Sequence, residues 1–190
     1  FYNKENKNFI KKKFNILVIG GSQGAAIFDN NLKKIITKIA KEFPIRIVQQ
    51  TNERNIANLE KFYSENKIEN TIFNYDKNFI NKILETDLCI TRSGSSTLAE
   101  LSITNTPFVA VPLATSKDNH QLENANFYKN KDCCWLLEQS VFEEEIEQLL
   151  KDILKNKMDY LKKKQNLEKL NYQNTWISVN QKILNIINEN

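Results

Sequence analysis

Short apolar runs alternate along the chain with segments in which apolar residues recur every three or four positions. The runs are typical of buried strands, and the spaced segments are typical of helices with one buried face. Strands are predicted at Phe14–Ile19, Ile45–Val48, Thr71–Phe73, Leu88–Thr91, Pro107–Val111 and Cys133–Leu136. Helices are predicted at Ala26–Glu42, Ile56–Glu65, Phe79–Glu85, Thr97–Ile103, His120–Lys129, Val141–Lys155, Met158–Leu170 and Trp176–Ile187.

This alternation predicts an α/β fold with a Rossmann-like parallel sheet. Parallel strands need crossover connections, which are right-handed and place helices on both faces of the sheet. Ligands of such sheets bind at the carboxyl ends of the strands. We expect the domain to cover residues 14–170, with a basic connector at 1–13 and a C-terminal helix at 171–190.

Composition narrows the class of protein. The 190 residues are 41% hydrophobic and 26% charged, and their net charge of +4 resides mainly in lysine tracts. No basic motif interleaved with aromatic residues accompanies this charge, which argues against a nucleic-acid partner. Cys89, Cys133 and Cys134 lack metal-type spacing, so we interpret them as core residues of a protein from a reducing compartment. No apolar stretch approaches the ~20 residues that span a bilayer.

The first of two glycine-bearing turns, Gly20-Gly21-Ser22-Gln23-Gly24, follows the first predicted strand. It lacks the glycine order of the dinucleotide fingerprint, and Gln49-Gln50 stands where an acidic residue would hold a ribose. NAD and FAD therefore fit poorly, and no Walker sequence is present. Two interpretations stay open. Ser22 and the backbone amides hold a phosphate, or the glycines only satisfy the dihedral angles of the turn.

The second turn surrounds Gly94 with the hydroxyl groups of Ser93, Ser95, Ser96 and Thr97, just before and at the start of a predicted helix. Unpaired N–H groups and the helix dipole favour a phosphate at such a place. Thr97 and Glu100 have the spacing of a capping box, which is one structural interpretation. The functional alternative is that Glu100 binds both hydroxyls of a ribose, since a carboxylate accepts two hydrogen bonds at once.

The third segment, Val111–Ala125, also follows a predicted strand and is rich in amide and hydroxyl groups. If the helix begins near Asn119, then Gln121 and Asn124 lie on the same side of it. Amide groups of this kind can form hydrogen bonds with sugar hydroxyls, which is the functional interpretation. The structural alternative is that the segment is an ordinary capped loop. His120 is the chain's single histidine, and both a structural and a catalytic role stay open for it.

Taken together, the three segments resemble the MurG family, the N-acetylglucosaminyltransferases that convert lipid I to lipid II in peptidoglycan synthesis. The resemblance rests on Gly-Gly-Ser-Gln-Gly-Ala, on Thr-Arg-Ser-Gly-Ser-Ser-Thr-Leu-Ala-Glu, and on Asp-Asn-His-Gln-x-x-Asn-Ala after Val-Pro. It covers residues 15–137. It implies the C-terminal, donor-binding half of a GT-B fold of glycosyltransferase family 28, with no metal or other cofactor.

The resemblance also implies a site for UDP-N-acetylglucosamine. Ser22 would touch the diphosphate, Glu100 the ribose hydroxyls, Gln121 the glucosamine ring, and the backbone at Asp76 the uracil. The implied contacts are Ser22, Asp76, Ser95, Ser96, Thr97, Leu98, Ala99, Glu100 and Gln121. Additional candidates are Gly21, Gly94, His120 and Asn124.

A missing partner domain is a further implication. In this family the N-terminal domain holds the lipid I acceptor and the proposed general base, so no catalytic residue is assigned in this chain. We expect the 190 residues to bind the donor weakly and not to transfer sugar. The implied location is peripheral, on the cytoplasmic side of the bacterial inner membrane, with weak help from the lysine tracts.

Three origins of such a half stay open. It is a fragment of a longer MurG-type chain, the separately encoded donor subunit of a split glycosyltransferase, or a degenerate nucleotide-binding module without catalysis. Loss of ligand affinity on replacing Glu100 would argue against the degenerate module.

Overall fold

The computed structural model describes residues 13–20 and 26–173, and these contain a six-stranded parallel sheet. The strands are β1 Phe14–Ile19, β2 Ile45–Gln50, β3 Glu69–Phe73, β4 Leu88–Thr91, β5 Phe108–Ala110 and β6 Trp135–Leu136. Their spatial order is β3-β2-β1-β4-β5-β6, and every pair is parallel. This is the order of doubly wound nucleotide-binding sheets, in which the ligand crevice opens where the order reverses, between β1 and β4.

Helices cover both faces of this sheet. They are α1 Lys33–Glu42, α2 Ile56–Glu65, α3 Phe79–Glu85, α4 Ser95–Ile103, α5 His120–Lys129, α6 Phe142–Lys155 and α7 Lys157–Gln173. A π-helical turn at Phe28–Leu32 leads into α1, and 3₁₀ turns precede α2, α5 and α6 at Glu53–Asn55, Lys117–Asn119 and Gln139–Val141. None of the helices in the described part of the chain has the length and apolarity needed to cross a membrane.

Side chains of β1 alternate between two hydrophobic clusters, one on each face of the sheet. Ile16 and Val18 pack with residues of α1, α2 and α6, whereas Leu17 and Ile19 pack with residues of α3, α4 and α5. Because both faces are covered, the central strands read as continuous apolar runs. The four residues of β4 are all buried.

Most predicted elements are confirmed, several with unchanged bounds, among them β1, β4, α2, α3 and α5. Two bounds differ in ways that affect the interpretation. Helix α4 begins two residues earlier than predicted, at Ser95, and β6 contains only Trp135–Leu136 of the predicted Cys133–Leu136. The three cysteines are buried and unbridged, as expected for core residues. The predicted helix at 176–187 lies outside the described residues.

Gln49, which stands in place of an acidic residue at the end of β2, is a structural residue. Its side chain is fully buried, donates to Asp29 Oδ1 at 2.8 Å and accepts from the Tyr63 hydroxyl at 2.8 Å. The Asp29 carboxylate, itself buried, also accepts from Thr51 Oγ1 at 2.6 Å and from Asn55 Nδ2 at 3.0 Å. Burial, followed by the charge of Asp29, raises the pKa of Tyr63. Both ends of the Gln49 amide are occupied, so it has no role as a ribose ligand.

Candidate functional site

The carboxyl ends of β1, β4 and β5 lie side by side at one edge of the sheet. Ile19 pairs with Thr91 in the register of β1 and β4, and the next N–H, that of Arg92, donates to Ile19 O at 3.2 Å. Val111 N–H donates to Thr91 O at 2.8 Å, which aligns β5 with the same edge. Gly21 and Ser22 follow β1 in the sequence and lie outside the described residues. Their roles therefore stay predictions.

The N-terminus of α4 lies at this edge, with Gly94 as the N-cap residue and no side-chain cap. The first helical hydrogen bond runs from Leu98 N–H to Gly94 O at 3.0 Å. Ser95, Ser96 and Thr97 therefore occupy the first three helical positions, whose N–H groups have no acceptor within the helix. The structure brings these three predicted residues together as an uncapped helix end, which attracts anions.

The capping-box interpretation of Thr97 and Glu100 is wrong. Because the N-cap is Gly94, Thr97 lies inside the first turn, and Glu100 lies one turn further along the helix. Glu100 is exposed, and no described residue forms a hydrogen bond or salt bridge with its carboxylate. The carboxylate is therefore open to solvent on the turn that follows the uncapped amides.

Ala99 and Leu98 of α4, both predicted ligand contacts, differ in their exposure to solvent. Ala99 is exposed, whereas the Leu98 side chain is fully buried in the core and its N–H is already bonded to Gly94. A contact from Leu98 would therefore have to come from backbone atoms other than its bonded N–H.

Gly94 has an open environment in front of the helix. A Cβ atom built on it meets no heavy atom of the described residues within 4 Å, and its φ of −67° is ordinary for any residue. Neither packing nor backbone strain among the described residues requires a glycine at this position. An unobstructed approach to the helix amides favours a role in ligand access.

Gln121 and Asn124 of α5 fix the turn that carries these amides. Gln121 Oε1 accepts from Ser93 N–H at 3.2 Å and from Leu113 N–H at 3.0 Å, and Asn124 Nδ2 donates to Ser93 O at 3.0 Å. Two N–H donors converge on the same atom of the Gln121 amide, which identifies that atom as the oxygen. The Nε2 group is thus the part of Gln121 that faces other partners. Sequence reasoning selected both residues as ligand contacts and missed this structural role.

The loop before α5 adopts an unusual backbone. Asp118 and Asn119 both have left-handed φ angles, 51° and 53°, and Asn119 is the N-cap residue of α5. Asp and Asn tolerate this region better than other non-glycine residues. His120 follows as the first residue of α5 and is exposed.

Asp76 lies apart from these groups, beyond the end of the edge strand β3. Its carboxylate accepts from Asn78 N–H at 2.7 Å and pairs with Lys82 Nζ at 2.8 Å. The hydrogen bond from Lys82, and then that from Asn78, lowers the pKa of Asp76. Three strand spacings separate β3 from β4, about 14 Å. Only an extended ligand would reach both places.

Arg92 is a buried residue of the site that sequence reasoning did not select. It follows β4 directly and is 7% exposed. Its Nη1 group donates to Val111 O at 3.2 Å and to Pro112 O at 3.3 Å, and its guanidinium carbon lies 5.4 Å from the centre of the Phe28 ring. The side chain thereby ties the end of β5 to the turn before α4.

Comparison with known proteins identifies relatives for nearly the whole chain. The model of the glycosyltransferase family 28 C-terminal domain matches residues 15–175. A Pelagibacter ubique (strain HTCC1062) protein is 47% identical over 191 residues, covering 100% of this chain and 54% of that protein. It is named UDP-N-acetylglucosamine--N-acetylmuramyl-(pentapeptide) pyrophosphoryl-undecaprenol N-acetylglucosamine transferase. The chain spans about half the length of the curated relatives it matches.

Solved structures share the fold. The crystal structure of Acinetobacter baumannii MurG superposes with a TM-score of 0.74 at 24% identity, covering 84% of this chain and 46% of that one. The solution structure of ALG13 superposes with a TM-score of 0.54 at 13% identity. That match covers 78% of this chain and 88% of the ALG13 chain. In ALG13 the same fold therefore makes up nearly the entire chain of that structure.

Gln121→Ala should loosen the turn before α4, because it removes the acceptor of two backbone N–H groups. We expect a loss of about 1–3 kcal/mol in the free energy of unfolding, together with faster hydrogen exchange at Ser93 and Leu113. Gln121→Glu keeps an oxygen acceptor and should retain the protection. Gln148→Ala, which removes an exposed bond to Asp152, is the control for loss of a surface amide. Unchanged exchange in Gln121→Ala would contradict the structural role.

Proposed function

Because the chain belongs to glycosyltransferase family 28 and carries its C-terminal domain, we propose that it binds UDP-N-acetylglucosamine. In this proposal it is the donor half of an enzyme that adds N-acetylglucosamine to lipid I to form lipid II. The observation that carries the proposal is the uncapped N-terminus of α4, which lies at the reversal point of the sheet with an open approach at Gly94. The printed name of the Pelagibacter relative supports the choice of donor and acceptor.

The diphosphate lies at the uncapped amides in this proposal. The N–H groups of Ser95, Ser96 and Thr97 and the positive end of the helix dipole favour an anion there. The open space at Gly94 allows a phosphate to approach the backbone closely. Ser22, which follows β1 in the sequence, is proposed to add its hydroxyl to the same group.

The ribose hydroxyls bind to Glu100 in this proposal. Its exposed carboxylate follows the amides by one helical turn, as required of a group that contacts the sugar next to a bound phosphate. A carboxylate has only acceptor atoms and can take both hydroxyls of a ribose together. The adjacent Ala99 is exposed and leaves room beside it.

In this proposal the Gln121 side chain forms hydrogen bonds with hydroxyl groups of the glucosamine ring. Since its oxygen is held by Ser93 and Leu113, Gln121 contributes its Nε2 donor. His120, exposed at the start of the same helix, is the proposed helper. Asn124 acts through the backbone of Ser93, to which it donates.

The uracil lies toward β3 in this proposal, at the backbone near Asp76. The Asp76 carboxylate is already engaged by Asn78 and Lys82, so the contact falls to main-chain groups. The separation of about 14 Å between β3 and β4 suits a ligand that is extended along this edge.

The chain supplies the leaving-group side of an inverting transfer. Helix amides that hold a diphosphate in the donor also stabilise the charge that develops as it departs. The base that removes the proton from the acceptor hydroxyl belongs to the N-terminal domain in this proposal. The assembled enzyme would act as a peripheral protein on the cytoplasmic face of the bacterial inner membrane, where the lipid acceptor lies.

Two alternatives use the same fold. A donor subunit of a split glycosyltransferase would bind the same nucleotide sugar, and the ALG13 superposition supports the occurrence of this unit as nearly a whole chain. A degenerate module would keep the fold without a functional ribose contact. Replacement of Glu100 separates the degenerate module from both donor-binding alternatives.

Glu100→Ala should weaken binding of UDP-N-acetylglucosamine by about 1–3 kcal/mol, because it removes charge-assisted hydrogen bonds to the ribose. Calorimetric titration measures this loss, beside UDP-glucose, GDP-mannose and NAD as competing ligands. Glu60→Ala, which removes an exposed carboxylate on α2, is the matched control and should bind like the original chain. Equal affinity of Glu100→Ala and the original chain would contradict the proposed ribose contact.

The 190-residue chain alone should not make lipid II, because the acceptor and the general base are proposed to bind and act in the other domain. The measurement is transfer of radiolabelled N-acetylglucosamine to lipid I, with the full-length Pelagibacter relative as the positive control. Detectable lipid II from this chain alone would show that the reaction does not need the other domain.

A further inference from the structure

Arg92 is a buried cation without a carboxylate partner in the part of the chain that the structure describes. It is 7% exposed, and no salt bridge joins it to any described residue. Burial lowers the pKa of Arg92, and burial is the only cause of the shift. A guanidinium nevertheless stays protonated at neutral pH. Burying an unpaired charge costs free energy, so the presence of an arginine at this position needs an explanation.

The contacts of Arg92 explain its position and leave its charge unexplained. Its Nη1 group bonds the carbonyls of Val111 and Pro112, a task that a neutral amide donor could also perform. The Phe28 ring contributes a cation–π contact, which compensates only part of the cost of burying a charge. Arginine is rare in this lysine-rich chain, occurring only at 46, 54 and 92.

Arg92 and its neighbour Ser93 both have buried polar side-chain atoms whose hydrogen-bonding capacity is unused within the described part of the chain. Arg92 Nε and Ser93 Oγ are both buried and have no hydrogen-bond partner among the described residues. Ser93 is 0% exposed and immediately precedes Gly94, the N-cap residue of α4. Arg92 thus precedes the N-cap residue of α4 by two positions, and its guanidinium is held at the end of β5, on the same carboxyl edge of the sheet as the positive end of the α4 dipole. Both positive charges favour an anion bound at this edge.

We propose that Arg92 is a positioning residue of the donor site, and that the diphosphate bound at the N-terminus of α4 balances its charge. It holds the end of β5 against the turn before α4, and its field selects ligands with a diphosphate over the neutral nucleoside. This inference rests on the proposed function, since it concerns the same nucleotide-sugar site. It adds Arg92 to that site, together with a preference for nucleoside diphosphates over the neutral nucleoside.

The test compares the affinities of UDP and uridine, two ligands that differ in the diphosphate. Arg92→Gln and Arg92→Met remove the charge, the first keeping an amide donor and the second keeping an unbranched side chain. Arg92→Lys keeps a positive charge without the planar fork. Arg46→Gln is the matched control, because it changes the net charge equally at the amino end of β2, where Arg46 pairs with Glu69 and Glu85. Circular dichroism and thermal melting identify the variants that fold.

In the neutral variants the ratio of UDP affinity to uridine affinity should fall by about tenfold or more, because loss of the positive charge weakens the attraction for the diphosphate and leaves that for the neutral nucleoside unchanged. Arg92→Lys and Arg46→Gln should keep that ratio within about threefold of the original value. A structural role alone would lower both affinities by one factor and leave the ratio unchanged, which would overturn the inference. Absence of UDP binding by the original chain would instead contradict the proposed function, and this inference would fall with it.

Discussion

Parallel pairing of β1 with β4 is the constraint on which the site depends. The register that joins Ile19 to Thr91 ends both strands at the same level, so their carboxyl ends lie next to each other. Neighbouring strands in a sheet lie about 4.8 Å apart, so residues that follow two neighbouring strands are close enough to contact one ligand. Hydrophobic clusters on both faces of the sheet fix this pairing, with successive side chains of β1 contributing to opposite clusters.

Rigidity at the carboxyl edge comes from polar side chains of elements that are distant in sequence. Gln121 and Asn124 hold the backbone of Ser93, and Arg92 holds the carbonyls at the end of β5. The turn before α4 is therefore attached to two neighbours before any ligand binds. Preorganised amides need little rearrangement to receive an anion, and this is the property that electrostatic stabilisation of a leaving group requires.

Sequence reasoning predicted the fold well because alternating strand and helix patterns are local signals. It placed the start of α4 at Thr97, since Ser95 and Ser96 resemble loop residues, and the observed N-cap at Gly94 moves both into the helix. It missed the structural role of Gln121 because the partners of its side chain, the N–H groups of Ser93 and Leu113, are adjacent to it only in three dimensions. The burial of Arg92 depends on β5 and Phe28 and leaves no local pattern in the sequence.

The central claim is that the uncapped amides of α4 bind the diphosphate of a nucleotide sugar. Titration of the ¹⁵N-labelled chain with UDP, followed by amide chemical shifts, tests it most directly. The account predicts saturable shifts of the Ser95, Ser96 and Thr97 amides that share one dissociation constant, with slower hydrogen exchange at the same groups. Binding of UDP that leaves these three amides unperturbed would contradict the account.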